Sequence, residues 1–363
     1  MEYIYQTVHV DDGCALCSSK KLAEEFMEVF LTHVRKAVMF DDAKLYLSMD
    51  IIRSADLTMF YVSQQRYIEE HFGDFLKKYR TPMSTTTNLR EAEPNTANES
   101  LLPITGKLRW LADRTRPDIL VALGEVSTGG AEYPSDLHMQ VATRIQNYLT
   151  TTKEKRLCLG GTDPIILFGY CDASYITAGK SKSRLGSCLF LNKTSGSISS
   201  ISRNDKTVSH SSCEAEIKAL DMLFREIVVT RSLLEFLGCP QTEATRIYID
   251  NKSAIELCRT LKSNNNVRHI NVRINYIREL INQRVIELIF VPSELNVADA
   301  LTKALDRVHH DRHTTILLEG HLSAWNGDVL FTHVNQYNNQ DYYYNIVENN
   351  DAAAAMLVDP DPA

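Results

Sequence analysis

Four acidic residues in the C-terminal half of the sequence are spaced so that they could bind divalent cations together. Asp172 and Asp250 each directly follow an apolar, strand-like run, and Glu216 and Asp299 each lie near the start of a helix-like segment. If the two strands are parallel neighbours, both aspartates emerge at the same edge of a sheet. A carboxylate cluster repels itself unless cations neutralise it, and Mg²⁺ prefers oxygen ligands.

Such a cluster predicts phosphodiester hydrolysis. Two divalent cations, about 3.5–4 Å apart, can activate a water molecule and stabilise the leaving oxygen. Each acid alone also has a structural interpretation: Asp250 can cap a helix at Asn251, and Asp299 can favour a helix N-terminus through its dipole. The joint pattern favours two Mg²⁺ ions as the cofactor, for which Mn²⁺ can substitute.

The segments that carry these acids alternate between strand and helix. Three strands precede a long helix, and helix-linked strands follow, which predicts a mixed five-stranded α/β sheet with flanking helices. The segments are strands Ile165–Cys171, Ser187–Asn192 and Ser197–Ser202, helix Ser211–Leu237, strand Arg246–Ile249, helices Lys252–Leu261 and Val267–Gln283, strand Ile286–Val291 and helix Asn296–Leu305.

The N-terminal half predicts an α+β part followed by a helical part. The strand Tyr3–Val10 ends in the hairpin signal Asp11-Asp12-Gly13. Residues 82–100 are rich in Thr, Asn, Glu and Pro and predict a linker, and residues 151–164 are mostly polar and predict a domain junction. The other segments are helix Ser18–Ala37, strands Lys44–Arg53 and Met59–Val62, and helices Gln64–Tyr79, Leu101–Ala112, Arg116–Val126 and Asp136–Thr150.

The net charge of −7 comes from the end of the sequence. Residues 311–363 contain eight acidic residues and one base, Arg312, whereas residues 1–310 have 38 of each sign. The acidity therefore does not exclude a polyanionic partner for the rest of the chain. The Asn- and Tyr-rich run 335–350 and the terminal residues 352–363 predict a partly disordered tail.

No run of 18 apolar residues and no signal-peptide pattern is present, so we expect an intracellular protein, in cytoplasm or nucleus, without a membrane partner. The eight cysteines are scattered, which is typical of reduced thiols. Cys14 and Cys17 form a single C-x-x-C pair, and without a second pair it does not predict a zinc site.

Five segments resemble, in order and spacing, the RNase H motifs of copia-type (Ty1/copia) LTR retrotransposon Pol polyproteins. They are Gly169–Ser174, Ser211–Leu220, Tyr248–Ile255, Arg268–Glu279 and Val291–Lys303. The resemblance implies an RNase H endonuclease that cuts the RNA strand of RNA–DNA hybrids. It implies that Asp172, Glu216, Asp250 and Asp299 are its catalytic metal ligands.

Glu216 fits the family motif better than Glu214, because it directly precedes the apolar face of the helix.

The sequence departs from the family pattern in places. Many RNases H carry a histidine in the loop before the last aspartate, and the loop 293–297 here has none. His269 lies elsewhere, and we interpret it as more consistent with a structural role.

Val8–Asp12 resembles the Tyr-Val-Asp-Asp hairpin of a reverse transcriptase palm, with His9 in place of tyrosine. Segments as far as Ile119 continue the resemblance. By the same resemblance, polymerisation needs a third carboxylate that the family carries upstream of this hairpin. We therefore interpret Asp11 and Asp12 as vestigial polymerase residues and expect no polymerisation from this sequence.

The resemblance thus implies an RNase H-like sheet preceded by a partial, truncated α+β palm and a helical thumb or connection. The predicted boundaries are 1–81 for palm and thumb, 82–100 for the linker, 101–160 for the connection, 161–308 for the RNase H-like domain and 309–363 for the tail. The alternative is a catalytically silent relic or domesticated retroelement protein that only binds nucleic acid or other proteins. Partners would be an RNA–DNA hybrid and other retroelement Pol or capsid proteins.

Five cations near the predicted sheet are candidates for contacts with hybrid phosphates. Any one of them could equally be a solvated loop residue. They are Lys180, Lys182, Arg184, Arg203 and Lys206.

Overall fold

The computed structural model describes residues 2–10, 12–33, 44–73, 77–89, 96–97, 99–130, 134–175, 182–260, 270–320, 343–346 and 355–358.

The N-terminal region begins with the predicted hairpin. Strands β1 (Ile4–His9) and β2 (Asp12–Cys17) are antiparallel, with His9 opposite Asp12. Helix α1 follows over Lys20–His33, and residues 34–37 of the predicted helix lie outside the described part.

A second antiparallel unit follows, made of β3 (Leu45–Tyr46), β4 (Met49–Arg53) and β5 (Met59–Ser63). Helix α2 spans only Gln65–Phe72, although the sequence predicts a helix as far as residue 79. It ends at Gly73, whose φ of +63° lies in the left-handed region that a β-carbon disfavours.

The three helices predicted for the connection are present. They are α3 (Leu102–Ala112), α4 (Leu120–Gly130), preceded by a 3-10 turn at Pro117–Ile119, and α5 (Asp136–Thr151). Leu108, Leu111 and Ile145 are fully buried between them.

The predicted junction 151–164 instead contains a strand, β6 (Leu157–Gly160). It pairs antiparallel with β5, with Cys158 opposite Tyr61, and completes the four-stranded sheet β3-β4-β5-β6. Leu157 and Cys158 are buried. The helical connection is thus inserted between two paired strands, β5 and β6.

The predicted five-stranded mixed sheet is present in the order β11-β10-β7-β8-β9. Strand β10 is parallel to β7 and β11, and β8 is antiparallel to β7 and β9. The architecture is the expected RNase H-like α/β fold. The strands are β7 (Phe168–Ser174), β8 (Arg184–Phe190), β9 (Ser199–Asn204), β10 (Thr245–Ile249) and β11 (Ile286–Phe290).

Successive side chains of this sheet point to opposite faces and enter two different cores. Cys171 and Ile247 pack against helices α6 (Ser212–Phe236), α7 (Lys252–Arg259) and α8 (Asn271–Asn282). Tyr170 and Tyr248 face the opposite core, which includes Leu123 of α4. The sheet is therefore a middle layer between its own helices and the connection.

Helix α9 (Arg307–Glu319) was not predicted and lies across the expected tail boundary at 309. Its residues Ile316 and Leu317 are buried in the core that the connection shares with the sheet. The predicted tail therefore contributes to the folded body as far as Gly320. Further on, β12 (Tyr343–Ile346) pairs antiparallel with β13 (Ala355–Val358) within the tail that was expected to be partly disordered; residues 321–342, 347–354 and 359–363 lie outside the described residues.

Within the described ranges, no helix combines the length and apolar character needed to cross a membrane.

Candidate active site

Asp172 and Asp250 lie side by side on neighbouring parallel strands. Tyr170 of β7 is opposite Tyr248 of β10, so the residues two positions later occupy equivalent places at the same sheet edge. Asp172 lies inside β7, opposite Gly186 of β8, and not beyond the end of the strand as the sequence suggested. Because β7 extends to Ser174, backbone pairing on the β8 side fixes the position of Asp172.

Asp299 lies at the same sheet edge, although it comes after the last strand of the sheet in the sequence. It lies in a 3-10 helix, Val297–Leu301, where the sequence predicted an α-helix. Asn296 begins this helix by accepting a hydrogen bond from the Ala298 N–H (3.2 Å), and its amide donates to the Cys171 carbonyl (3.0 Å). This buried amide therefore ties the Asp299 turn to the strand that carries Asp172.

The three aspartates form one compact group of oxygens. One carboxylate oxygen from each of Asp172, Asp250 and Asp299 lies within 4.8 Å of the others. Asp172 and Asp299 are buried, whereas Asp250 is partly exposed. The group is thus enclosed on the protein side and open to solvent beside Asp250.

Glu216 joins this group from helix α6. Ser211 caps the helix by accepting a hydrogen bond from the Glu214 N–H (3.1 Å), so Glu216 lies in its first turns. Glu216 is buried, and the backbone N–H of Ala173 donates to its carboxylate. Its Oε2 atom has no hydrogen-bond partner among the described residues.

The structure distinguishes Glu216 from Glu214. Glu214 Oε1 lies 2.9 Å from Lys218 Nζ, and its Oε2 accepts a hydrogen bond from the His210 N–H (2.8 Å). Lys218 also pairs with Asp205 at 2.8 Å. Glu214 is therefore engaged in a buried ion-pair network that fixes the start of α6, and Glu216 is the glutamate that faces the aspartates.

Burial and mutual repulsion dominate the electrostatics of the cluster. Burial, together with the charge of Asp172, raises the pKa of Glu216 well above its usual range. Burial and the same neighbouring charge raise the pKa of Asp299 to about 8. Burial and the charge of Asp250 raise the pKa of Asp172. Each shift means that charge is accumulated here without sufficient compensation from the protein.

Three residues that contact the cluster were missed by sequence reasoning, although all lie within the closing motif. The hydroxyl of Thr302 donates to Asp172 Oδ2, and the hydroxyl of Ser293 donates to Asp250 Oδ2. Lys303 Nζ lies 2.9 Å from Asp299 Oδ2. The usable signal was position: Thr302 and Lys303 follow Asp299 at spacings of three and four residues, which bring side chains to the same face of a helical turn.

These donors fit divalent cations that prefer oxygen. All four acids offer carboxylates, and two buried atoms, Glu216 Oε2 and Asp299 Oδ1, have no hydrogen-bond partner among the described residues. Buried polar atoms are normally satisfied, so such atoms call for a ligand. The residues present therefore suit Mg²⁺ or Mn²⁺.

The chain is similar in sequence to Pol polyproteins of plant transposons. The Pol polyprotein of transposon TNT 1-94 from Nicotiana tabacum is 33% identical over 278 residues, and that of transposon RE1 from Arabidopsis thaliana is 28% identical over 313 residues. These alignments cover 73% and 84% of the chain. This chain is related to transposon Pol polyproteins. It spans about a fifth (21%) of each of these two relatives, and no family model matches it.

Two solved structures are similar to parts of this Pol-related chain. A foamy viral protease–reverse transcriptase with double-stranded DNA covers 79% of the chain, with 12% identity and a TM-score of 0.42, over 46% of its own length. LC11-RNase H1 with an RNA/DNA hybrid covers 38%, with 15% identity and a TM-score of 0.29, over 93% of its own length.

Of the cations expected to contact phosphates in this Pol-related chain, Arg184 is a correction. It is 3% exposed and its Nη2 lies 2.6 Å from Glu125 of α4. Gly124 leaves room for it, because a β-carbon there would lie 2.4 Å from Arg184 Nη1. Arg184 therefore joins the sheet to the connection and does not reach the surface.

The other candidate cations differ in position. Lys182, Arg203 and Lys206 are exposed, with Arg203 at the end of β9 and not in the following turn. Lys180 lies outside the described residues, as do His269 and Asp11. Asp12 begins β2, and its side chain is not described.

Proposed function

We propose that the chain is an RNase H endonuclease that hydrolyses the RNA strand of RNA–DNA hybrids by two-metal-ion catalysis. Asp172, Glu216, Asp250 and Asp299 are its metal ligands in this proposal. The observation that carries it is the buried carboxylate cluster, whose three aspartate oxygens lie within 4.8 Å of one another. Relatedness to transposon Pol polyproteins supports the same conclusion.

The cluster has the features of a binding site and not of a stabilising one. Buried charges that support a fold are normally paired, because their desolvation is costly. Here two buried carboxylate oxygens have no partner in the described structure, and the pKa of Glu216 is raised by burial and by its acidic neighbours. Bound Mg²⁺ ions would neutralise the cluster, activate a water molecule and stabilise the leaving oxygen of the phosphodiester.

The protein residues around the ligands orient them. Thr302 and Ser293 donate to one oxygen each of Asp172 and Asp250 and thereby fix the orientation of both carboxylates. The amide of Asn296 holds the Asp299 turn against β7. Fixed ligands lower the cost of reorganisation when the substrate phosphate arrives.

Access is from the side of Asp250, the partly exposed member of the cluster. The exposed cations Lys182, Arg203 and Lys206 are proposed to contact phosphates of the hybrid. Such contacts position a duplex without reading its sequence, and 2′-hydroxyl groups in the minor groove distinguish the RNA strand.

The test is cleavage of an end-labelled RNA–DNA hybrid in Mg²⁺ by the wild-type chain and by Asp250→Asn. We expect the wild type to cut only the RNA strand and the variant to lose at least roughly a thousandfold in rate, because one ligand of the two-metal site is neutralised. Asp113→Asn is the matched control, since Asp113 pairs with Arg109 on the surface of the connection.

Asp113→Asn should cut at the wild-type rate. A folded wild-type chain that cuts no hybrid in Mg²⁺ or in Mn²⁺ would refute the proposal. The chain would then be a silent relic or a domesticated protein that acts by binding alone.

A further inference from the structure

Lys303 forms an ion pair with one member of the carboxylate cluster. It follows the 3-10 helix that carries Asp299, and its Nζ lies 2.9 Å from Asp299 Oδ2. The other oxygen of that carboxylate, Oδ1, is buried without a partner among the described residues. Asp299 therefore has one oxygen held by an ammonium group and one that is buried without a hydrogen-bond partner among the described residues.

The position of Lys303 differs from that of a structural buried lysine. Its side chain is 44% exposed, whereas that of Lys218, which is held by Asp205 and Glu214, is 5% exposed. A half-exposed lysine stem can swing its ammonium into water without opening the core. The Lys303–Asp299 contact can thus break while the fold stays intact.

A divalent cation and Lys303 would compete for Asp299. Like charges a few ångströms apart repel strongly in a partly buried site. A cation bound by Asp172, Asp250 and Asp299 would share the same group of oxygens, within 4.8 Å of one another, that Lys303 contacts at its edge. The favourable state is therefore either Lys303 on Asp299 or metal on the cluster, and not both.

Resting on the metal site proposed above, we propose that Lys303 is a positioning residue that serves as the resident counter-ion of the metal-free cluster. Its ammonium holds Asp299 in place and partly neutralises the acids. It withdraws into solvent when divalent cations bind. Lys303 thereby sets the affinity of the site for divalent cations.

This role makes a prediction that links stability to affinity. Removing the ammonium would destabilise the metal-free protein, which loses its counter-ion, but not the metal-loaded protein, from which the ammonium has already withdrawn. By linkage, the free energy that the metal-free state loses appears as tighter cation binding. A purely structural lysine would stabilise both states alike and leave affinity unchanged.

The experiment compares wild type, Lys303→Met and Lys303→Arg in the full chain. Thermal unfolding is measured in EDTA and in saturating Mg²⁺, and Mg²⁺ affinity is measured by isothermal titration without nucleic acid. For Lys303→Met we expect a lower Tm in EDTA, an unchanged Tm in Mg²⁺ and Mg²⁺ binding tighter by roughly threefold to tenfold. Lys303→Arg keeps the charge and should resemble wild type in all three.

Two results with Lys303→Met would overturn the inference. Weaker Mg²⁺ binding would mean that Lys303 supports the loaded site. An equal drop of Tm in EDTA and Mg²⁺, with unchanged affinity, would mean an ordinary structural contact. The wild-type titration separates this from the proposed function: no saturable binding of Mg²⁺ or Mn²⁺ by wild type would remove the metal site itself, and the inference with it.

Discussion

Two regions of this molecule bury charge, and they balance it in different ways. One is the carboxylate cluster at the sheet edge. The other, which we call the connection network, lies where the connection meets α9 and consists of Arg116, Asp118, Tyr148 and His310. Both are buried, and both join segments that are distant in sequence.

The connection network is balanced from within. Arg116 donates to both oxygens of Asp118 and to the backbone and side chain of Thr152. The Tyr148 hydroxyl donates to Asp118 (2.6 Å), and His310 Nε2 lies 3.1 Å from the same hydroxyl. Burial opposes ionisation of Asp118, but the charge of Arg116 together with the hydrogen bonds from Arg116 and Tyr148 and the charge of Lys155 outweighs it and lowers the pKa of that carboxyl.

The carboxylate cluster is balanced only in part from within, by the ion pair between Lys303 and Asp299. Burial and the neighbouring acids raise the pKa of Glu216, and its Oε2 has no partner among the described residues. In the connection network, a partner within the protein offsets the desolvation cost of the buried charge. In the carboxylate cluster, much of that cost is left for a ligand from outside the protein. The direction of the pKa shift, and not burial alone, separates Asp118 from the acids of the carboxylate cluster.

The strongest test of this difference compares the stability of two equivalent substitutions in EDTA. Asp118→Asn should lower the free energy of unfolding by about 3–5 kcal/mol, because it leaves Arg116 buried without its counter-ion. Asp172→Asn should leave it unchanged or raise it by about 1 kcal/mol, because it removes a repelling charge. Urea denaturation followed by circular dichroism measures both.

Asp113→Asn, on the exposed surface, serves here too and should change stability by less than about 0.5 kcal/mol. If Asp172→Asn costs as much as Asp118→Asn, the cluster is a structural element like the connection network. The distinction between the two regions would then fail.

The two regions also differ in whether the sequence could predict them. The neighbouring positions of Asp172 and Asp250 were predictable, because each follows a strand-like apolar run, whereas Asp299 was joined to them by the resemblance to the retrotransposon motifs. The strand β6 was not predictable, since Leu157–Gly160 is a strand through its pairing with β5, almost a hundred residues earlier. Its flanking polar residues carry no local sign of that partner.

The connection network was missed for the same reason. His310 lies in a segment whose apolar periodicity is weak, and α9 is stabilised by the core it shares with the connection. The charge of Arg184 suggested a phosphate contact, but Arg184 is buried and forms an ion pair with Glu125 of α4. Elements defined by local pattern were predictable, whereas elements and roles defined by a distant partner required the structure.

A pH-dependence test sharpens the comparison at His310. Burial lowers its pKa to about 4, although Asp118 opposes the shift. Between about pH 6.5, the usual value in an unfolded chain, and about pH 4, the unfolded chain binds a proton that native His310 does not. Stability should therefore fall as pH is lowered through this window, by on the order of 3 kcal/mol from His310.

The measurement is the difference in unfolding free energy between wild type and His310→Gln, from pH 7.5 to pH 4 in EDTA. The carboxylate cluster titrates in both proteins, so the difference isolates His310. The buried His313, whose pKa burial lowers to about 3, is likewise present in both. A wild type that loses no more stability than His310→Gln would show that His310 is not held neutral by the network.

The smallest expected effect concerns the two kinds of cation beside the sheet, Arg184 and Lys206. Arg184→Met should lower stability by about 2 kcal/mol, since it removes the buried ion pair with Glu125 of α4, and should not alter hybrid binding. Lys206→Met, at an exposed position, should leave stability within about 0.5 kcal/mol.

For Lys206→Met, the affinity for the hybrid should depend less steeply on salt concentration than it does for the wild type. Each lost phosphate contact reduces the slope of log affinity against log salt concentration by roughly 0.9. Fluorescence anisotropy with a labelled hybrid over a series of KCl concentrations, in Ca²⁺ to limit cleavage, measures that slope for both variants. A flatter slope for Arg184→Met than for Lys206→Met would contradict this prediction. It would place the hybrid against the connection and not against the exposed turn after β9. The ion pair between Arg184 and Glu125 would then be a contact that nucleic acid displaces.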